Sequence, residues 1–185
     1  MGENVFDKLT IRKAHDLDAA LIWSILEEAI VKRRDEGSNQ WQDGYPNLEV
    51  VKRDIEQGYG YVCVRDELIL GYFALIFSDD PAYAFIEGSW LTSGNYAVVH
   101  RVAVSQLNYI KGLATWMLIQ LEEICIQNQV NSIRADTNFD NLPMLRIFEK
   151  LGYQFCGQVY LRGSARKAFE KMLSESDASM SRDQE

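Results

Sequence analysis

The chain has 185 residues, 47% of them hydrophobic and 25% charged, which suits one domain with a sizeable core. Its net charge of −8 disfavours wide contact with nucleic acid or with anionic lipid. An acidic surface fits recruitment of a cationic amine, or solubility alone. No apolar run approaches the about 20 residues that a membrane-spanning helix needs, and MGENVFDKLT lacks the basic-then-apolar order of a secretory signal. Three cysteines, Cys63, Cys125 and Cys156, form no CxxC pair and read as reduced thiols of a cytoplasmic protein, each a small core residue. With only His15 and His100, far apart, a clustered zinc site is not expected, and no metal is assigned.

In chain order, residues 8–12 alternate apolar and polar as a short strand does. Asp16 can cap a helix to about Arg34, with Leu17, Leu21, Ile25, Ala29 and Ile30 along one face. Residues 37–46 (GSNQWQDGYP) read as a loop, and Asn47 can cap a helix that Gly58 ends. Strands follow at 59–65 and 68–77, turning at Asp66-Glu67. Residues 83–87 form a short aromatic strand segment, and 96–104 a strong one. A helix at 112–128 should bury Leu113, Met117, Leu121, Ile124 and Cys125. Then come a strand at 131–137, a helix at 142–151 stopped by Gly152, and strands at 153–161 and about 165–173. The polar tail, 174–185, is expected to be disordered. The order implies a mixed α/β domain over 1–173, with antiparallel strands first and a parallel crossover in the second half.

The chemistry concentrates between Val98 and Glu123. A strand ends near Val104, Lys111 sits in a turn, and a helix begins at about Gly112. Unpaired N–H groups at a helix start carry partial positive charge and bind phosphates. Gly112 and Ala114 keep the approach open, and Thr115 adds a hydroxyl. An ordinary strand-to-helix connection is the other reading of this turn.

At this point the sequence resembles the GNAT superfamily of acyl-CoA-dependent N-acetyltransferases, whose pyrophosphate loop reads Gln/Arg-x-x-Gly-x-Gly/Ala. The matching stretch is Tyr109-Ile110-Lys111-Gly112-Leu113-Ala114: Gly112 and Ala114 match, Tyr109 departs, and Ile110 stands where many members have a second glycine. NQWQDGYPN, HRVAVS, IRADTNFDNLPM and FEKLGYQFCG look, in order and spacing, like a bacterial subgroup, so the likeness spans about residues 8–173.

The resemblance implies a mostly antiparallel sheet with a splayed parallel strand pair, flanked by helices, and acetyl-CoA as cosubstrate. Pantetheine would bond to the backbone of Val102, Ala103 and Val104. The pyrophosphate would lie on Ile110, Lys111, Gly112, Leu113, Ala114 and Thr115. Asn138 and Asn141 follow the next strand, where a side chain commonly meets the cofactor arm, although Asx residues also serve as turns and caps. Many members carry a proton-donating Tyr where this chain has Phe148, which cannot donate. Tyr109, Tyr153 and Tyr160 are the nearby phenols, and a thiolate can also leave unassisted or through water.

An amine nucleophile must lose a proton, so a base is expected. Glu87 is the first candidate, near the family's acceptor pocket, unless it is only a solvated glutamate. His100 is the second, or else a structural histidine grouped by alternation with Val98, Val102 and Val104. The same alternation turns Arg101 the other way, toward a subunit or a carboxylated substrate. Trp41, Asp43 and Tyr45, with Gln42, form a polar-aromatic loop that reads as a lid over substrate or as a loop pinned by its aromatics. The expected activity is acetyl transfer from acetyl-CoA to a primary amine by direct attack. The alternative is a non-catalytic acyl-CoA-binding or regulatory module, to which Tyr109, Ile110 and Phe148 point. A homodimer is the expected assembly.

Overall fold

The structure, a computed structural model, describes residues 5–174, so most of the tail expected to be disordered lies outside it. Eight strands hydrogen-bond in the order β1-β2-β3-β5-β6-β8-β7-β4, mostly antiparallel with β5 and β6 parallel, as the sequence implies. The described residues divide into two compact units, 5–75 with 101–118 and 76–100 with 119–174. Among the described residues, no helix is long and apolar enough to cross a membrane.

The first unit holds β1 (Thr10–Lys13), α1 (Ala19–Asp35), α2 (Leu48–Glu56), β2 (Gly60–Arg65) and β3 (Leu68–Ile76). Its core joins Ile22, Ile25 and Leu26 of α1 to Val51 of α2 and to Val62, Ile69 and Tyr72 of the hairpin. Each such side chain contributes about 1.5–3 kcal/mol on burial. The buried face of α1 differs from expectation: Leu17 and Leu21 are exposed, and Ile22 and Leu26 point inward. The cause is at the helix start. Asp18, not Asp16, is the anchored acid, bonded by Arg12 at 2.6 Å and by the His15 amide at 2.9 Å. A 3-10 turn at Asp16–Asp18 therefore precedes α1 and rotates it. Asn47 does cap α2, its side chain accepting from the Val50 amide.

In the second unit, residues 81–85 are a 3-10 helix, Pro81–Phe85, not the expected strand segment. Asp80 caps it by accepting from the Ala82 amide at 2.9 Å, and Pro81 presets the first helical φ. A two-residue strand, β4 (Glu87–Gly88), then pairs with β7 (Gln154–Leu161). Gly88 and Gly157 face each other there at φ +144° and +142°. A Cβ on Gly88 would sit 2.1 Å from the Cys156 carbonyl oxygen, so no side chain fits. β6 (Ser132–Thr137) pairs with β8 (Ser164–Met172), and α4 (Leu142–Leu151) ends at left-handed Gly152.

β5 (Ala97–Val104) begins in the second unit and ends in the first. Its parallel ladder with β6 has three register pairs, the last being Val99 with Ala135. Two residues on, Arg101 has φ 58°, a left-handed conformation unusual for a long side chain. α3 (Leu113–Gln127) buries Leu113, Met117, Leu118, Leu121 and Cys125.

Candidate active site

In the first unit, β5 leads through residues 105–112 into α3. The loop is anchored at its start. The Ser105 amide donates to Leu70 O at 2.8 Å, the Gln106 amide to Glu28 Oε2 at 2.6 Å, and the Asn108 amide to Ser105 Oγ at 3.2 Å. Gly112 then takes φ +86°, which permits the reversal into the helix. The Leu113 amide is used by Ile110 O, and the first helical bond runs from Trp116 to Gly112 O. The amides of Ala114 and Thr115 therefore lie at the open end of the helix, with Lys111 exposed beside them. Tyr109 is exposed, while the Leu113 side chain belongs to the core.

Arg101 is committed inside the chain rather than to a subunit or a substrate. Its Nε and Nη2 meet Asp54 Oδ2 and Oδ1 at 2.8 and 2.7 Å, and its Nη1 bonds to Tyr45 Oη. Tyr72 donates to the same Asp54 carboxylate at 2.6 Å. Burial and then the Asp54 charge push the Tyr72 phenol up, so it stays a donor. Burial alone would lower Arg101, but Tyr45 and Asp54 outweigh it and hold the guanidinium charged. Of the supposed lid, Tyr45 is thus tied to Arg101, Trp41 packs on the core, Gln42 donates to Ile30 O at 3.0 Å, and Asp43 is exposed.

In the second unit, His100 lies between two carboxylates, with Nε2 3.0 Å from Asp80 Oδ2 and Nδ1 3.7 Å from Asp136 Oδ1. Tyr83 donates to Asp136 at 2.7 Å. Burial, reinforced by Asp136, raises the Tyr83 phenol. Glu87 is exposed and accepts from Tyr160 at 3.1 Å, a bond that raises the Tyr160 phenol. Asn141 caps α4, accepting from the Met144 amide at 3.3 Å and donating to Thr137 at 3.0 Å, and Asn138 beside it is buried. Phe148 is packed in the core against Tyr153 and Phe169, at 5.1 and 5.0 Å between rings. The cysteines are free and buried, and burial pushes Cys63 up to about 12, which leaves no thiolate nucleophile there at neutral pH.

A cavity of ≈ 710 Å³ opens in the second unit, walled by Tyr83, Trp90, Tyr96 and Arg134, with Asp79 and Asp80 among its lining. Arg134 lies 4.4 and 3.8 Å from the Trp90 and Tyr96 ring centres and donates to Thr92 O at 2.6 Å. Behind it, Glu170 takes Ser132 and Thr92 hydroxyls at 2.5 Å each and the Leu91 amide at 2.6 Å. Sequence reading missed Asp54, Glu28, Asp80, Asp136, Arg134 and Glu170. Asp54 could have been found: it falls three residues after Val51, on the buried face of α2.

A strand running into a helix with an open, glycine-entered N-terminus has a geometry that suits an anion. A profile described as the acetyltransferase (GNAT) family matches residues 23–153, and the chain belongs to that family. A GNAT-family acetyltransferase of Streptococcus agalactiae 2603 is 35% identical, with a TM-score of 0.83 over 91% of this chain and 98% of its own. The uncharacterized N-acetyltransferase YesJ of Bacillus subtilis strain 168 is 26% identical over 162 residues, 85% of this chain and 86% of YesJ. The fold alone is shared with YncA of Salmonella typhimurium, solved with its cofactor acetyl-CoA: 18% identity, TM-score 0.61, 91% and 96% covered.

Proposed function

We propose that the protein transfers the acetyl group of acetyl-CoA to a primary amine by direct attack on the thioester. The observation that carries this reading is the start of α3, where left-handed Gly112 leads into a helix with the Ala114 and Thr115 amides at its open N-terminal end. These groups, with Lys111, suit a pyrophosphate, and the backbone of Val102, Ala103 and Val104 suits the pantetheine amides. A thioester carbonyl beside that strand would be polarised by backbone N–H donors. YncA, of the same fold, was solved with acetyl-CoA, which supports this cosubstrate.

His100 is the group we assign to take the amine proton: Asp80, 3.0 Å from Nε2, orients the ring, and Nδ1, 3.7 Å from Asp136 Oδ1, is the nitrogen left to accept. Glu87 with Tyr160 is a second acid–base pair, favoured by their 3.1 Å contact. His100→Gln is expected to lower kcat by about 100-fold or more with the acetyl-CoA KM unchanged. Glu87→Gln with an equal loss would move the role to the second pair. Steady-state release of free thiol from acetyl-CoA over a panel of amines checks the activity, and no release with any amine would sink the reading.

The phosphate site has its own test. Gly112→Val places a β-branched residue in left-handed backbone, at a strain of about 1–2 kcal/mol. Acetyl-CoA should then bind about ten-fold more weakly by titration calorimetry, while binding of the amine is spared. Unchanged acetyl-CoA affinity would remove the start of α3 from the site.

A further inference from the structure

Arg101 holds a strained place on β5. Its φ of 58° disfavours any residue with a Cβ, by about 1–2 kcal/mol, and such a conformation persists only where its surroundings over-determine it. Three contacts do so. Asp54 takes Nε and Nη2 at 2.8 and 2.7 Å, and Tyr45 Oη accepts from Nη1. The Arg101 side chain is 7% exposed, so these charge-assisted bonds form away from water, where they are strong. The peptide that follows Arg101 carries the Val102 amide, the first of the backbone groups that suit a pantetheine and a thioester carbonyl. Tyr45, Asp54, Arg101 and Val102 all belong to the first unit.

The two partners reach Arg101 from different places. Asp54 lies on α2 and is itself fixed by Tyr72 at 2.6 Å. Tyr45 lies in the loop, residues 37–47, that joins α1 to α2. That loop is fastened along its length. The Ser38 amide donates to Arg33 O at 2.9 Å, and the Gln40 amide to Ser38 Oγ at 3.1 Å. Gln42 Nε2 donates to Ile30 O at 3.0 Å and Asn47 Nδ2 to Gly44 O at 3.1 Å, while Trp41 packs on the core. A flap that opened for substrate would have to break several of these bonds together. Held shut, the loop instead presents a fixed acceptor to Arg101.

Resting on the acyl-transfer reading, we infer that residues 37–47 are a brace, and that Tyr45 is a positioning residue for the reaction. Through Arg101, its hydroxyl fixes the turn that aims the Val102 amide at the thioester carbonyl. Asp54 alone secures only two of the three guanidinium nitrogens. Without the Tyr45 hydroxyl, Nη1 loses its acceptor in the interior, and the guanidinium shifts to recover one. An amide aimed at charge that develops on oxygen acts mainly in the transition state, so the brace shows in kcat more than in KM.

Tyr45→Phe removes the hydroxyl and keeps the ring, whose centre is 5.8 Å from the guanidinium. It is assayed with saturating acetyl-CoA and the amine of a panel that the wild type acetylates fastest. The expected result is a kcat lower by about ten-fold with both KM values within about two-fold of wild type. In Arg101→Met the turn is already released, so adding Tyr45→Phe should lower kcat no further, whereas independent roles would multiply. If Arg101→Met does not fold, the split between kcat and KM in Tyr45→Phe alone decides. An unchanged kcat, or a full further loss on adding Tyr45→Phe to Arg101→Met, would overturn the brace and leave acyl transfer standing. A raised amine KM at unchanged kcat would also overturn it and make the loop a substrate lid. No thiol release by the wild type with any amine would overturn both readings.

Discussion

Replacing Asp54 with alanine is expected to destabilise the protein by about 3–5 kcal/mol, among the largest losses available to one substitution. The carboxylate is buried and accepts from both Nε and Nη2 of Arg101 and from Tyr72. Removing it leaves a guanidinium charge in the interior without its counter-ion, and a tyrosine hydroxyl without an acceptor. Leu or Met in place of both Asp54 and Arg101 should recover much of the loss, because then no charge is stranded. Chemical denaturation of the single and double variants checks this, and a loss below about 1 kcal/mol for Asp54→Ala would show the pair to be dispensable. The effect should reach function as well. Arg101 holds the left-handed turn of β5 immediately before Val102, so a folded Arg101→Met protein is expected to bind acetyl-CoA more weakly even though this side chain is not assigned to the cosubstrate.

Glu170→Ala should cost about 3 kcal/mol or more and lower Tm by about 10 °C, from the usual proportion for a chain of this size. Burial would push this carboxyl up, but the hydroxyls of Ser132 and Thr92 and the charge of Arg134 outweigh that and hold it below its ordinary value. A carboxyl whose folded value is depressed stabilises fully above its unfolded value of about 4.3 and loses that contribution as pH falls through the lower folded one. Wild-type Tm should therefore drop steeply below about pH 4, and the variant should lack that share of the drop. A variant with the wild-type profile would mean that the charge of Glu170 does not stabilise the fold. Loss of Glu170 also leaves Arg134, in the cavity wall, without its counter-ion.

The elements were largely legible because hydrophobic period, caps and glycines acted locally. Asn47, Gly58 and Gly152 bound their helices where the sequence puts them, and α4 has the bounds read from it. What was illegible depended on partners distant in sequence. Asp18, not Asp16, is the acid anchored ahead of α1, because Arg12 reaches it from β1 and the His15 amide bonds to it. Residues 81–85 wound into a 3-10 helix because Asp80 and Pro81 favour its start more strongly than Tyr83 and Phe85 favour a strand. The partners of Arg101 were illegible because Asp54 and Tyr45 lie 47 and 56 residues before it. The glycine-entered start of α3 was readable from Gly112. The acid pair around His100 was not, since Asp80 and Asp136 lie 20 and 36 residues away on either side of it.

The most direct measurement is a reaction of the protein with acetyl-CoA and each amine of a panel, in which free thiol and N-acetylated amine are quantified together over time. Direct transfer at the site formed by β5 and the start of α3 requires the two products to accumulate in equal molar amounts, with the rate falling in Gly112→Val at subsaturating acetyl-CoA. Thiol released without amide, or neither product despite measurable acetyl-CoA binding, would contradict it.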